Sequence, residues 1–173
     1  MANLASDLNS DPGHRADGYT TEYSLYPTQE QSATLRRWFG HIRSLHNAAS
    51  DFTPRDRVSM TGRLAGYVGH NTFLLELPVS ALGAEILNIL RDTNEPAGYI
   101  SRKRDVQTLT LLSQDFELTE RARVVVGGLG ELDVDFNEGV PEPFPVSIQI
   151  IHDPLAQQPD TIRFYYQGAS HRG

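Results

Sequence analysis

The apolar positions that follow Pro27 recur at helical spacing. They are Leu35, Trp38, Phe39, Ile42, Leu45 and Ala49. Thr28 and Gln31, just before them, have the spacing of a capping box, in which each side chain bonds the other residue's backbone N–H. The pattern therefore predicts an amphipathic helix over about residues 28–50, with the more polar positions on its other face. These are Arg36, Arg37, His41, Arg43, Ser44 and Asn47.

The pattern changes to period two after this helix. The positions on one side of the alternation are Val58, Met60, Gly62, Leu64, Gly66 and Val68. Such alternation predicts a long, half-exposed strand. A turn at 69–71 and a returning strand through Phe73, Leu75 and Leu77 would complete a hairpin.

A second helix is predicted over about residues 80–92. Ser80 can cap its start, while Asn94 and Pro96 stop it. From residue 97 onward the pattern indicates strands alone, at 97–101, 106–112, 123–126, 131–136, 146–151 and 161–166. The glycines of 127–130 precede a strand-like alternation and not a helix, which favours a hairpin turn over a phosphate-binding loop.

The element order is roughly β-α-β-β-α followed by six strands. Runs of neighbouring strands with two helices indicate an α+β fold, because a parallel sheet would need more crossover helices. We expect a mainly antiparallel β-sheet or small barrel, with the helices at about 28–50 and 80–92 packed on it. Residues 21–173 would form this single α+β domain.

Residues 1–20 hold almost nothing apolar beyond Leu4 and Leu8. Such a stretch buries too little apolar surface to offset its ordering entropy. It predicts an N-terminal arm, which a neighbouring subunit would hold if the arm is ordered.

Composition excludes several classes of protein. Cysteine is absent, which rules out disulfides, thiolate catalysis and cysteine-ligated zinc. There is no apolar run long enough for a membrane span, and the first residues lack the pattern of a signal peptide. The expected location is cytoplasmic or in a virion.

Charge argues against nucleic acid as a partner. The formal net charge is -7, whereas phosphate neutralisation requires a basic surface. All basic residues except Lys103 are arginine, which a GC-rich coding sequence explains as well as an interface does. Residues 115–142 are nevertheless acidic and residues 35–63 basic, so intramolecular complementarity and recognition of a partner both remain open.

A basic patch and an acidic patch are the strongest charge clusters. The basic patch consists of Arg36, Arg37, Arg43, Arg102, Lys103 and Arg104. The acidic patch consists of Glu131, Asp133, Asp135 and Glu138. Its carboxylates alternate with apolar residues, so a solvated sheet face is favoured over a cation site. The basic run 102–104 similarly favours a solvated loop over a phosphate contact.

Catalytic signals are weak. His70, His152 and Asp153 are the candidates, because a histidine beside a carboxylate can serve hydrolysis. The histidine spacing shows no metal motif, no serine lies in a nucleophile motif, and no cofactor is expected.

The favoured function is that of a non-enzymatic assembly or interaction protein. We expect a structural subunit of a larger particle, such as a virion or tail, that forms a homo-oligomer or hetero-complex through its arm. The alternatives are a small hydrolase- or isomerase-like enzyme with a His/Asp pocket, and an acidic inhibitor that imitates nucleic acid.

Overall fold

The computed structural model describes residues 18–96, 98–137 and 139–168. The predicted arm therefore lies outside the described residues up to residue 17. Tyr19 and Thr20, at its predicted end, already belong to the first strand.

The helices and the first strand occupy the first half of the chain. In order they are β1 (Tyr19–Ser24), α1 (Gln29–Ser50), α2 (Arg57–His70), a 3-10 helix (Thr72–Glu76) and α3 (Val79–Arg91). The remaining elements are strands. They are β2 (Gln107–Leu112), β3 (Phe116–Leu118), β4 (Val124–Val126), β5 (Gly130–Leu132), β6 (Ser147–His152) and β7 (Thr161–Tyr166).

The described strands form two open antiparallel sheets. One has the order β1-β7-β6-β2 and the other the order β3-β4-β5. Tyr19 pairs with Tyr166, so the first described strand lies beside the last. The predicted α+β class is confirmed in its open-sheet form, since the described strands do not close into a barrel.

The predicted first helix is confirmed, together with its cap. Thr28 Oγ1 accepts from Gln31 N at 3.1 Å, and Gln31 Oε1 accepts from Thr28 N at 3.0 Å. Gln31 also donates through Nε2 to Glu131 O at 2.8 Å, which ties the start of α1 to β5. The predicted apolar positions of this helix are all buried.

The strand predicted at 57–68 is wrong, because this segment forms α2. Asp56 caps the helix by accepting from Ser59 N at 2.9 Å. Only Met60 and Leu64, four residues apart, are buried, while Val58 is 83% exposed. The apparent alternation arose because glycines were counted with the apolar residues.

Other predicted elements differ in smaller ways. The returning strand predicted through Phe73, Leu75 and Leu77 is wrong, because Thr72–Glu76 form a 3-10 helix. The predicted strand at 97–101 is irregular backbone over 98–101. Strand β3 was not predicted. Strand β5 ends at Leu132, after which Val134 makes a single bridge with Leu25. The turn predicted at 127–130 is confirmed, and Gly128 adopts a φ of +85° there.

Helix α3 is capped from a distant turn. Ser80 lies inside its first turn and is not the cap, since Pro78 occupies that position. The carboxylate of Asp115 accepts from Ser80 N at 2.8 Å, and Ser80 Oγ accepts from Leu112 N at 3.0 Å. A negative charge at a helix N-terminus is stabilising, so the β2–β3 turn fixes where α3 begins.

One hydrophobic core joins the helices to both sheets. It includes Trp38 and Leu45 of α1, Val124 of β4, Ile150 of β6 and Phe164 of β7. Among the described helices, none is long and apolar enough to cross a membrane.

Candidate nucleic-acid interface

The arginines of α1 have different surroundings. Arg36 is exposed and its side chain has no hydrogen-bond partner within the described residues. Arg37 pairs with Glu76, whose carboxylate also contacts His41 Nε2 at 2.9 Å. Hydrogen bonds from His41 and then from Arg37 lower the pKa of Glu76. Arg37 is therefore partly neutralised, whereas Arg36 is available to a ligand.

Arg43 is held at the edge of the core. Its Nη1 donates to Gln107 Oε1 at 2.6 Å. Gln107 is only 5% exposed and donates through Nε2 to Arg102 O at 3.4 Å. Burial, and next the charge of Arg102, lower the pKa of Arg43. The structure thus brings Arg43 and Arg102, which are distant in sequence, to one place.

The segment that precedes Arg102 is bound firmly to α1. Asn47 Oδ1 accepts from Ile100 N at 2.7 Å, and Asn47 Nδ2 donates to Ile100 O at 3.1 Å. Ser50 Oγ donates to Gly98 O at 3.1 Å, and the Tyr99 hydroxyl donates to Asp51. These contacts position the turn of residues 102–104 beside the helix.

The basic turn itself is solvent-facing. Arg102, Lys103 and Arg104 are all exposed. The nearby Asp105 carboxylate accepts from Ser101 N at 2.6 Å, so its hydrogen bond closes the turn instead of pairing with a cation. Among the described residues, no salt bridge engages the three basic side chains.

Helix α2 presents an open face. Apart from its buried residues Met60 and Leu64 it is largely exposed, and Arg63 has no side-chain partner within the described part of the chain. Arg57, in contrast, donates to Leu90 O at 3.0 Å. Arg55, in the α1–α2 connection, donates to carbonyls that include Thr93 O at 2.9 Å and has a structural role.

The acidic patch follows the edge of the smaller sheet. Glu131 pairs with Arg123 at 3.1 Å, and Asp135 accepts from Asn137 N at 3.0 Å in a local turn. Asp133 is exposed beside a cavity of about 390 Å³ that Glu131 also lines. Glu138 lies outside the described residues. No group of three histidine or carboxylate side chains in the described residues is placed to hold a metal ion.

The catalytic candidates are not brought together by any described contact. His70 is exposed at the end of α2. His152 Nδ1 lies 2.7 Å from Asp160 Oδ1. The neighbouring Asp153 accepts from Leu155 N at 3.0 Å in a turn.

A buried histidine was missed by sequence reasoning. His46 is 8% exposed, and its ring nitrogens lie 3.0 Å from Glu85 Oε1 and 3.0 Å from Gly98 O. The hydrogen bond with Glu85 raises the pKa of His46, in spite of burial. The sequence could have predicted this burial, because His46 lies between Ile42 and Ala49 on the apolar face of the helix.

Residues 20–49 match a family model described as a helix-turn-helix domain, of the OrfB type of IS605. No curated protein matches the chain. The matched segment corresponds to most of β1 and to α1, and α2 is the next helix along the chain. The connection of residues 51–56 is longer than the three or four residues usual in a DNA-binding helix-turn-helix.

This match overturns three predictions. The expected structural subunit of a virion or tail is wrong, and so is the expectation that nucleic acid is an unlikely partner, because a helix-turn-helix domain indicates DNA binding. The predicted location in a virion is wrong for the same reason. The net charge misled the prediction because it averages over the whole chain, whereas residues 35–63 hold six arginines against two carboxylates.

Proposed function

We propose that this protein binds DNA in a transposase-related role, with α1 and α2 as the elements that contact the duplex. The observation that carries the proposal is the match of residues 20–49 to a helix-turn-helix domain. In such domains the first helix crosses the DNA backbone and the second lies in the major groove. In this proposal the protein binds DNA in the cytoplasm.

Local charge supports this proposal. Residues 29–70 hold six arginines against three carboxylates, those of Glu30, Asp51 and Asp56. Asp56 is used as the cap of α2, and Asp51 accepts from Tyr99. Arg36 and Arg63 face solvent and are suited to phosphate or base contacts.

The outward face of α2 also suits a groove. Thr61, Gly62, Ala65 and Gly66 are exposed and small, so the helix backbone can approach base edges closely. Arg63 is the long donor of that face. An arginine fork pairs with guanine or phosphate through two hydrogen bonds.

Binding can be measured by fluorescence anisotropy of the full chain with a labelled, mixed-sequence duplex of about 30 base pairs at about 50 mM and about 200 mM salt. We expect binding at the lower salt that weakens steeply at the higher. Arg63→Gln should weaken binding about fivefold to tenfold by removing a groove or phosphate contact.

Arg121→Gln is the matched control. It removes the same charge as Arg63→Gln, but from an exposed position in the acidic segment. Its affinity should stay within about twofold of the parent. The proposal fails if the parent protein shows no anisotropy change with up to about 100 µM protein at the lower salt.

A further inference from the structure

We propose that Arg43, Gln107 and Arg102 form a seat for a single phosphate group. The inference rests on the proposed DNA binding when the phosphate is that of a DNA backbone. A free phosphate anion presents the same chemistry to the same side chains.

The first argument is the unused hydrogen-bonding capacity of Arg43. A guanidinium has five N–H donors, and within the described residues the one hydrogen bond from this side chain is that to Gln107 Oε1, at 2.6 Å. The side chain is half-buried, so its remaining donors are less hydrated than those of a fully exposed arginine. An anion with several acceptor oxygens would satisfy them together.

The second argument is the uncompensated charge. Arg102 is close enough for its charge to lower the pKa of Arg43. In the described part of the chain no carboxylate forms an ion pair with either arginine, and Asp105 is engaged by Ser101 N at 2.6 Å. Two neighbouring cations with no counter-charge repel each other, and a phosphate between them removes that cost.

The third argument is rigidity. Gln107 is buried at the start of β2 and hydrogen-bonds both Arg43 and Arg102 O. Asn47 fixes Ile100 two residues before Arg102. The fork of Arg43 is therefore oriented before a ligand arrives, which reduces the entropy lost on binding.

Gly40, one turn before Arg43, makes room for the guanidinium. A Cβ at Gly40 would lie 3.5 Å from Arg43 Nη2, so the guanidinium extends back over this glycine. A residue larger than alanine there would crowd the guanidinium.

The test compares Arg43→Gln and Arg102→Gln with Arg121→Gln in the anisotropy assay. Each seat variant should weaken DNA binding about tenfold and reduce the slope of log K against log salt by about 1, because one phosphate contact is lost. Arg43→Lys should keep that slope yet lose most of the affinity, since it retains the charge without the fork. Arg121→Gln should change neither quantity.

Arg102→Gln changes an exposed turn residue, so it keeps the test decisive should Arg43→Gln fail to fold. If the parent binds DNA and the seat variants bind within about twofold of Arg121→Gln, the seat is refuted and the proposed function stands.

If the parent does not bind DNA, titration with inorganic phosphate separates the two proposals. The NMR signal of the Arg43 Nε–H should shift saturably in the parent and not in Arg102→Gln. Such a shift supports a seat for free phosphate while the proposed function fails. The absence of a shift would overturn both.

Discussion

At the scale of single residues, His46 has partners that favour its charged form inside the protein. Its two ring nitrogens lie 3.0 Å from Glu85 Oε1 and 3.0 Å from Gly98 O. Only the imidazolium form donates from both ring nitrogens at once. Through these contacts His46 joins α1 to α3 and to the segment that precedes the basic turn.

A dependence of stability on pH follows from His46. Its pKa is raised in the folded state by the hydrogen bond to Glu85, so protonation favours folding. This contribution is complete below the unfolded-state pKa of about 6.5 and is lost as pH rises through the higher folded-state pKa. We expect the free energy of unfolding to fall by about 1–2 kcal/mol across that window, as one charged hydrogen bond is lost.

Urea unfolding of the parent and of His46→Gln at several pH values measures this effect. The variant should be less stable at low pH and should lack that part of the pH dependence. His41→Gln is the control, because His41 is the less buried histidine and pairs with the half-exposed Glu76. An unchanged pH profile in His46→Gln would show that His46 is neutral in the folded protein.

At the scale of elements, α2 is weakened by its own glycines. A Cβ at Gly62 or Gly66 would meet no atom within 4 Å. Each glycine costs about 1 kcal/mol against alanine inside a helix. Gly62→Ala and Gly66→Ala should therefore each stabilise the protein by about 0.5–1 kcal/mol in thermal or urea unfolding.

Gly128→Ala is the opposing control. Gly128 has a φ of +85°, and a Cβ there would lie 3.0 Å from Trp38 Cζ2. We expect it to destabilise by more than about 1 kcal/mol through strain and overpacking. Destabilisation by the α2 substitutions would indicate that the segment does not form this helix in solution.

The same elements show which features the sequence could predict. Thr28 and Gln31 make a local cap that their spacing alone predicts. The apolar positions from Val146 to Ile151 show the alternation expected of a strand. The cap of α3 could not be found this way, because Asp115 reaches Ser80 from 35 residues away. The pairing of Arg43 with Gln107, 64 residues apart, likewise depends on how α1 packs against β2.

At the scale of the whole molecule, charges of opposite sign are concentrated in different segments of the chain. No ion pair among the described residues joins the basic segment 35–63 to the acidic segment 115–142. Positive charge that is not paired with the acidic segment steers a polyanion toward the basic segment, and the acidic segment repels it. The protein would thus meet DNA in a preferred orientation although its net charge is -7.

Neutralising the acidic side tests this separation. Glu117 and Glu120 are exposed, and Glu117→Gln with Glu120→Gln should speed DNA association by about twofold at low salt. The gain should vanish near 0.3 M salt, where screening acts within about 6 Å. A gain that persists at high salt would indicate a direct contact in place of long-range repulsion.

The pairing of β1 with β7 has a consequence for biosynthesis. Glu22 of β1 is ion-paired with Arg163 of β7, 141 residues later in the chain. A ribosome adds roughly 5–20 residues per second, so β1 waits about seven to thirty seconds for the strand that it pairs with. Helix α1 can form during that interval while β1 has no neighbour in the sheet. The segment that resembles a DNA-binding domain therefore leaves the ribosome well before the strand that completes its sheet.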